Sequence, residues 1–204
     1  MDMSEHDAGA LLLKKADELN LAGNFAEAEK LYDELLTQNH DQPWLLATLG
    51  TLYLRTQRYG IAIALLSIAA KTMKDSEIIT NLAIAYKYSG QYDKAMQWFN
   101  KAIESNPSAE TYSTYAGMHI NIGTPEIALE NADKALEKNP QHPMAHWNKA
   151  MALLEQGAWD TAWNEHEYGF DAKMRIRRNI KDAPYWDGTA GKTVAVYGEQ
   201  GLGD

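Results

Sequence analysis

A chain of 204 residues, 45% hydrophobic and 23% charged, can build one compact domain or one short array of repeats. It holds no cysteine, which excludes disulfides and thiolate metal sites and fits a reducing, cytoplasmic setting. The net charge of −9 is uneven: residues 1–171 carry 13 basic and 24 acidic groups against six and four in residues 172–204, so the body repels phosphate backbones and no nucleic-acid partner is expected.

Residues 1–8 read as an acidic tail, without the basic start and apolar stretch of a signal peptide. The longest apolar run, 61–70, is interrupted by Ser67 and falls far short of a membrane span, so no membrane partner is expected. From residue 9 onward the chain repeats itself. Gly23-Asn24-Phe25, Gln57-Arg58-Tyr59, Gly90-Gln91-Tyr92, Gly123-Thr124-Pro125 and Gly157-Ala158-Trp159 recur at spacings of 34, 33, 33 and 34 residues. Three residues after each aromatic or proline stands an alanine: Ala28, Ala62, Ala95, Ala128 and Ala162.

Each turn separates two helical patterns. In the third copy Ile79, Leu82, Ala83 and Tyr86 recur at i, i+3, i+4, i+7, one face of a helix. Gly90 ends that helix, because a C-cap calls for left-handed backbone. Ala95, Phe99 and Ala102 line the second helix, which Asn106-Pro107 stops. Ala83 and Ala95 are expected at the crossing of the two helices, with Tyr92 and Phe99 filling the space between copies. The array divides at about 9–42, 43–75, 76–108, 109–142 and 143–171.

The period, the Leu49-Gly50, Tyr53, Tyr59, Ala62 and Ala69 series, and the Leu82-Ala83, Tyr86, Gly90, Tyr92, Ala95, Ala102 and Pro107 series resemble the tetratricopeptide repeat (TPR). The first and fourth copies depart from it, with Lys15 at an apolar position and His119 at a tyrosine position. The resemblance implies an all-α fold: a right-handed superhelix, or α-solenoid, of about five helix–turn–helix repeats. Such a stack presents the first helix of each copy to a partner, expected to be a protein or peptide.

By the same resemblance the outward positions include Trp44 and Thr48 in the second copy, Asn81, Ile84 and Lys87 in the third, and Trp147, Asn148 and Met151 in the fifth. Asn81 and Asn148 hold the position at which asparagines in O-GlcNAc transferase-like arrays hold a peptide backbone, and an amide both donates and accepts. Trp44, Trp147 and Met151 suggest apolar pockets for anchor side chains, although Trp147 is as readily read as packing on the following segment. Self-association through Trp44 or Trp159 and Trp163 is the alternative. A carboxylate clamp is excluded, because only Lys87 and Asn81 approach its pattern.

Residues 172–204 read as a basic connector, a Trp186-Asp187-Gly188 turn, a strand over 192–198 and a glycine loop. Trp159 to Tyr168, Trp186-Asp187-Gly188, and the loop Gly198, Glu199, Gln200, Gly201, Leu202, Gly203 and Asp204 resemble the junction of bacterial and phage TPR proteins with a family 9-like (GT-B) glycosyltransferase domain. That resemblance implies the first strand and loop of such a domain, truncated. A GT-B centre needs two lobes, so the chain as it stands is expected to be non-catalytic and to need no cofactor. Gly191-Lys192-Thr193 fails as a P-loop, because Trp186 stands where its first glycine belongs. His142 and His146 lack a third metal ligand.

Overall fold

The computed structural model describes residues 5–38 and 42–175. The expected strand over 192–198 and the loop Gly198 to Asp204 lie outside the described residues. Among those described there are ten α-helices and no strand: α1 (Glu5–Leu21), α2 (Phe25–Gln38), α3 (Pro43–Arg55), α4 (Tyr59–Thr72), α5 (Ser76–Tyr88), α6 (Tyr92–Ser105), α7 (Ala109–Asn121), α8 (Pro125–Lys138), α9 (Pro143–Glu155) and α10 (Trp159–His166). A 3₁₀ turn, Glu167–Gly169, follows. The fold is all-α, built from helical hairpins. Helix α1 begins at Glu5, within the stretch read from sequence as a tail; acidic residues at that end favour a helix start.

One set of backbone bonds closes every hairpin turn. Asn24, Arg58, Gln91, Thr124 and Ala158 each donate N–H to a carbonyl five residues back, at 2.8–3.0 Å. The residue just before each has positive φ: Gly23, Gly90, Gly123 and Gly157 at 71–82°, and Gln57 at 62°. This is the Schellman closure of a helix C-terminus. The carbonyls of Asn24, Arg58, Gln91, Thr124 and Ala158 then accept from Ala28, Ala62, Ala95, Ala128 and Ala162, so the second helix starts on the residue that closes the first. All five alanines are fully buried.

The chain forms two compact units, residues 1–115 and 116–204, which divide within α7. In the first, α1 packs on α2, α2 on α3, α3 on α4 and α5, α4 on α5, and α5 on α6. Its core is large and apolar: Tyr32, Leu45, Leu49, Leu52, Leu66, Leu82 and Phe99 are almost wholly buried. Burying each such side chain contributes about 1.5–3 kcal/mol. Helices α3 and α4 approach so closely that a Cβ on Gly50 would lie 2.6 Å from Leu66 Cγ. Phe99 stacks on Tyr115 with ring centroids 5.0 Å apart, as expected of an inter-repeat filler, whereas Tyr92 stays 37% exposed at the start of its helix. Polar clasps also join successive helices. Arg58 Nη1 reaches both oxygens of Glu29 at 2.7 and 2.8 Å, and Tyr53 donates its hydroxyl to the same carboxylate at 2.8 Å.

The second unit is built differently. Helix α9 packs on α8, α10 and the 3₁₀ turn, and its core is mostly alanine with Met118, Trp147 and Leu153. Asn131, Asn148 and His119 are buried among them. At its rim Lys149 Nζ lies 2.7 Å from Asp133 and 3.7 Å from Glu165. His146 pairs with Glu165 through Nδ1, and its Nε2 lies 2.9 Å from the Pro140 carbonyl. His142 caps α9, its Nδ1 accepting from Ala145 N–H at 3.2 Å. Among the described residues no histidine–carboxylate group is arranged to hold a metal. None of the described helices is long and apolar enough to cross a membrane.

Candidate functional site

In the first unit the outward faces of α3 and α5 border an open hollow of about 270 Å³. Helix α3 contributes Ala47, Thr48 and Thr51; helix α5 contributes Glu77, Ile78 and Asn81. Asp75, the N-cap of α5, and Asn20, from the end of α1, complete the wall. Thr48 and Thr51 sit one turn apart, as Glu77 and Asn81 do, so each helix aims a pair of polar side chains at the same space.

Most polar groups in the wall are held by local structure. Thr48 and Thr51 donate their hydroxyls to the carbonyls of Trp44 and Ala47, at 3.0 and 2.9 Å. Asn81 donates one amide N–H to Thr51 Oγ1 at 3.3 Å, which orients the amide across the gap between the helices. Asp75 Oδ1 accepts from the N–H groups of Glu77 and Ile78, at 2.8 and 3.3 Å, capping the helix that carries Asn81. Arg55 Nη1 donates to Asn20 Oδ1 at 2.8 Å. The result is a rigid polar cup on two packed helices, the type of scaffold that positions hydrogen-bonding groups well.

The structure thus brings two of the sequence-predicted residues together, Thr48 and Asn81. Trp44 stands one turn before Thr48 on the same helix and is 39% exposed. Ile84 and Lys87 lie further along α5, half-buried and outside the lining; burial holds the Lys87 ammonium below the usual lysine range. In the second unit the predicted residues behave otherwise. Trp147 is only 9% exposed, its ring set against Gly169, where a Cβ would come within 2.6 Å, and tilted on His166 at 5.0 Å. Of the two readings of Trp147, packing on the following segment is the one observed. Asn148 is buried, its amide 3.4 Å from the place of a Cβ on Gly117, and Met151 is half-buried. Glu77 was legible as an outward position of its helix. Asp75 carried a signal as well, an aspartate directly before a helical pattern. Asn20 carried none, since only tertiary packing brings the end of α1 to α3 and α5.

Comparison with known proteins agrees with this architecture. Residues 19–78, 76–108 and 119–167 match three family models, each described as tetratricopeptide repeat. The chain is 20% identical over 181 residues to the TPR repeat-containing protein YpiA of Bacillus subtilis, covering 81% of this chain and 43% of that protein. It is 24% identical over 257 residues to protein FlbA of Caulobacter vibrioides, covering 100% of this chain and 43% of that protein. The chain therefore spans less than half the length of these relatives. Among solved structures it resembles MamA, with a TM-score of 0.66 at 19% identity over 85% of this chain and 97% of that one. It also resembles YrrB, described as a TPR protein with an unusual peptide-binding site, with a TM-score of 0.61 at 18% identity over 80% and 85%.

Proposed function

Since residues 19–108 and 119–167 of this chain are tetratricopeptide repeats, we propose that it is a non-catalytic, cytoplasmic module that binds a protein segment in the hollow between α3 and α5. The observation that carries this reading is the Asn81 amide, held by Thr51 at the edge of an open polar cup. An amide in that position can accept from a peptide N–H and donate to a peptide C=O at once, which suits backbone recognition without sequence preference. Trp44, one turn away and partly exposed, supplies an apolar contact for a neighbouring side chain. The description of YrrB as peptide-binding supports the reading by analogy of fold.

The test is fluorescence anisotropy with a degenerate pool of capped nonapeptides and the full chain. Asn81→Ala should weaken binding on the order of fivefold, the worth of one or two hydrogen bonds at a partly exposed site. Equal affinity in wild type and Asn81→Ala would remove the hollow from the mechanism.

The second reading is self-association, favoured by one register comparison. Four residues beyond the first residue of the second helix stand Glu29, Ile63, Met96 and Leu129, each half-buried, but in α10 the equivalent Trp163 is exposed, as is Trp159 one turn before it. Two tryptophans on one exposed helix face are apolar surface awaiting a cover. Light scattering across a hundredfold concentration range separates the readings, since a constant monomer mass excludes self-assembly. A link to a glycosyltransferase-like domain rests on sequence resemblance alone, at Trp159 to Tyr168 and over residues 186–204, and sugar-nucleotide binding by a longer chain carrying that region would support it.

A further inference from the structure

We infer that the hollow between α3 and α5 selects a basic side chain, lysine or arginine, in the segment it holds. This inference rests on the peptide-binding reading and names the chemistry of the partner. It follows from counting donors and acceptors around the cup. The hydroxyl hydrogens of Thr48 and Thr51 are both spent on their own helix, and one Asn81 N–H is spent on Thr51. Asn20 accepts from Arg55 through its oxygen and is engaged with the Tyr32 hydroxyl through its amide. The donors of the wall are therefore largely used.

The acceptors are not. Asp75 uses Oδ1 for the cap and keeps Oδ2. Among the described residues the carboxylate of exposed Glu77 has neither an ion pair nor a hydrogen bond, and Asn81 keeps its oxygen. Among the described residues no lysine or arginine lines the cup. An open cup with spare acceptors, two carboxylates and few free donors fits a cationic donor and rejects an anion. Its volume of about 270 Å³ accepts the end of a long side chain. Arginine suits it better than lysine, because a guanidinium donates in several directions at once to acceptors on two helices.

The chain as a whole carries a net charge of −9, so any cationic peptide is drawn to it weakly, and the experiment must separate the cup from that background. Three pools of N-acetylated, C-amidated nonapeptides, degenerate except for a central arginine, citrulline or glutamate, are titrated against the full chain by anisotropy. Citrulline keeps the shape of arginine and removes the charge. The arginine pool should bind on the order of tenfold more tightly than the citrulline pool, with the glutamate pool weakest. The double variant Asp75→Asn with Glu77→Gln keeps a capping oxygen and should lose most of that preference. The control Glu27→Gln with Glu34→Gln, on the exposed face of α2, removes the same number of charges and should keep it.

Equal binding of the arginine and citrulline pools, both weakened by Asn81→Ala, would overturn the inference and leave the peptide-binding reading standing. A preference that survives in the Asp75/Glu77 variant, or falls equally in the control, would assign it to the acidic body and also overturn the inference. No binding by any pool would overturn both.

Discussion

In the unit of residues 1–115 Asn81 is half-buried at the mouth of a hollow, and in the unit of residues 116–204 Asn148 is buried in the core. Both occupy the same register of the first helix of a hairpin. What differs is the residue met on the preceding first helix. Asn81 meets Thr51, whose hydroxyl accepts from the amide at 3.3 Å. Asn148 meets Gly117, and with no side chain there the amide settles over the backbone, 3.4 Å from where a Cβ would be. A repeat position therefore has no fixed function. Its neighbour one repeat earlier decides whether an amide serves a ligand or the fold.

The sharpest way to break the comparison is Trp147→Ala. If Trp147 belongs to the core of the second unit, as its contact with Gly169 implies, the change should cost about 3–5 kcal/mol, the usual loss for a buried aromatic. Urea unfolding measures it. A loss under about 1 kcal/mol would return Trp147 to the list of surface residues.

The asparagine pair comes next. Asn148→Ala should cost about 1–3 kcal/mol, because it removes a buried polar group and leaves its surroundings unsatisfied. Asn81→Ala should cost under about 0.5 kcal/mol, since solvent replaces the lost bond, while peptide affinity falls. The reverse ranking in denaturant melts would undo the assignment of roles.

Two glycines on first helices, Gly50 and Gly117, sharpen it further, because they should respond with opposite signs. Gly50→Ala drives a Cβ to 2.6 Å from Leu66 Cγ and should cost about 1–3 kcal/mol by overpacking. Gly117→Ala meets the Asn148 amide first, at 3.4 Å, and should stabilise by up to about 1 kcal/mol, the helix preference of alanine over glycine. Equal losses at both would show that Asn148 is packed too rigidly to yield.

Much of the fold was legible because repetition multiplies weak signals. One such turn means little, but five at the same period, three of them Gly-x-aromatic, carry one closing bond each, and even Gln57 is bent to the left-handed backbone that the others meet with glycine. The candidate site was legible in part. Thr48 and Asn81 follow from helix register, and Asp75 from capping chemistry. Trp147 was not settled by register, because the same helical position can point to solvent or into a neighbour, and only Gly169, 22 residues on, leaves room for its ring. Tyr92 erred in the other direction: an aromatic beginning a helix was read as filler, yet the first turn of a surface helix keeps one flank in water.

The smallest expected effect concerns the polar core of the second unit. His119 takes the position held by Tyr53 and Tyr86 in earlier repeats and is almost wholly buried. Its Nδ1 lies 2.7 Å from Thr124 Oγ1, whose hydroxyl can itself donate to the His119 carbonyl at 3.2 Å; that arrangement suits a neutral ring with its proton on Nδ1. Burial pushes the imidazole below its ordinary value of 6.5. The sign follows from where the proton binds. Above 6.5 the ring is neutral in both folded and unfolded chains, and its contribution is complete. Below 6.5 the unfolded chain takes up a proton that the folded ring resists, so stability declines as the pH falls toward the lower folded value. Thermal melts between pH 7.5 and 5.5 should show this decline, and His119→Tyr, which restores the tyrosine of the other repeats, should flatten it. An unchanged slope in the variant would place the acid sensitivity elsewhere and make His119 a neutral space-filler at a position that tyrosine could equally hold.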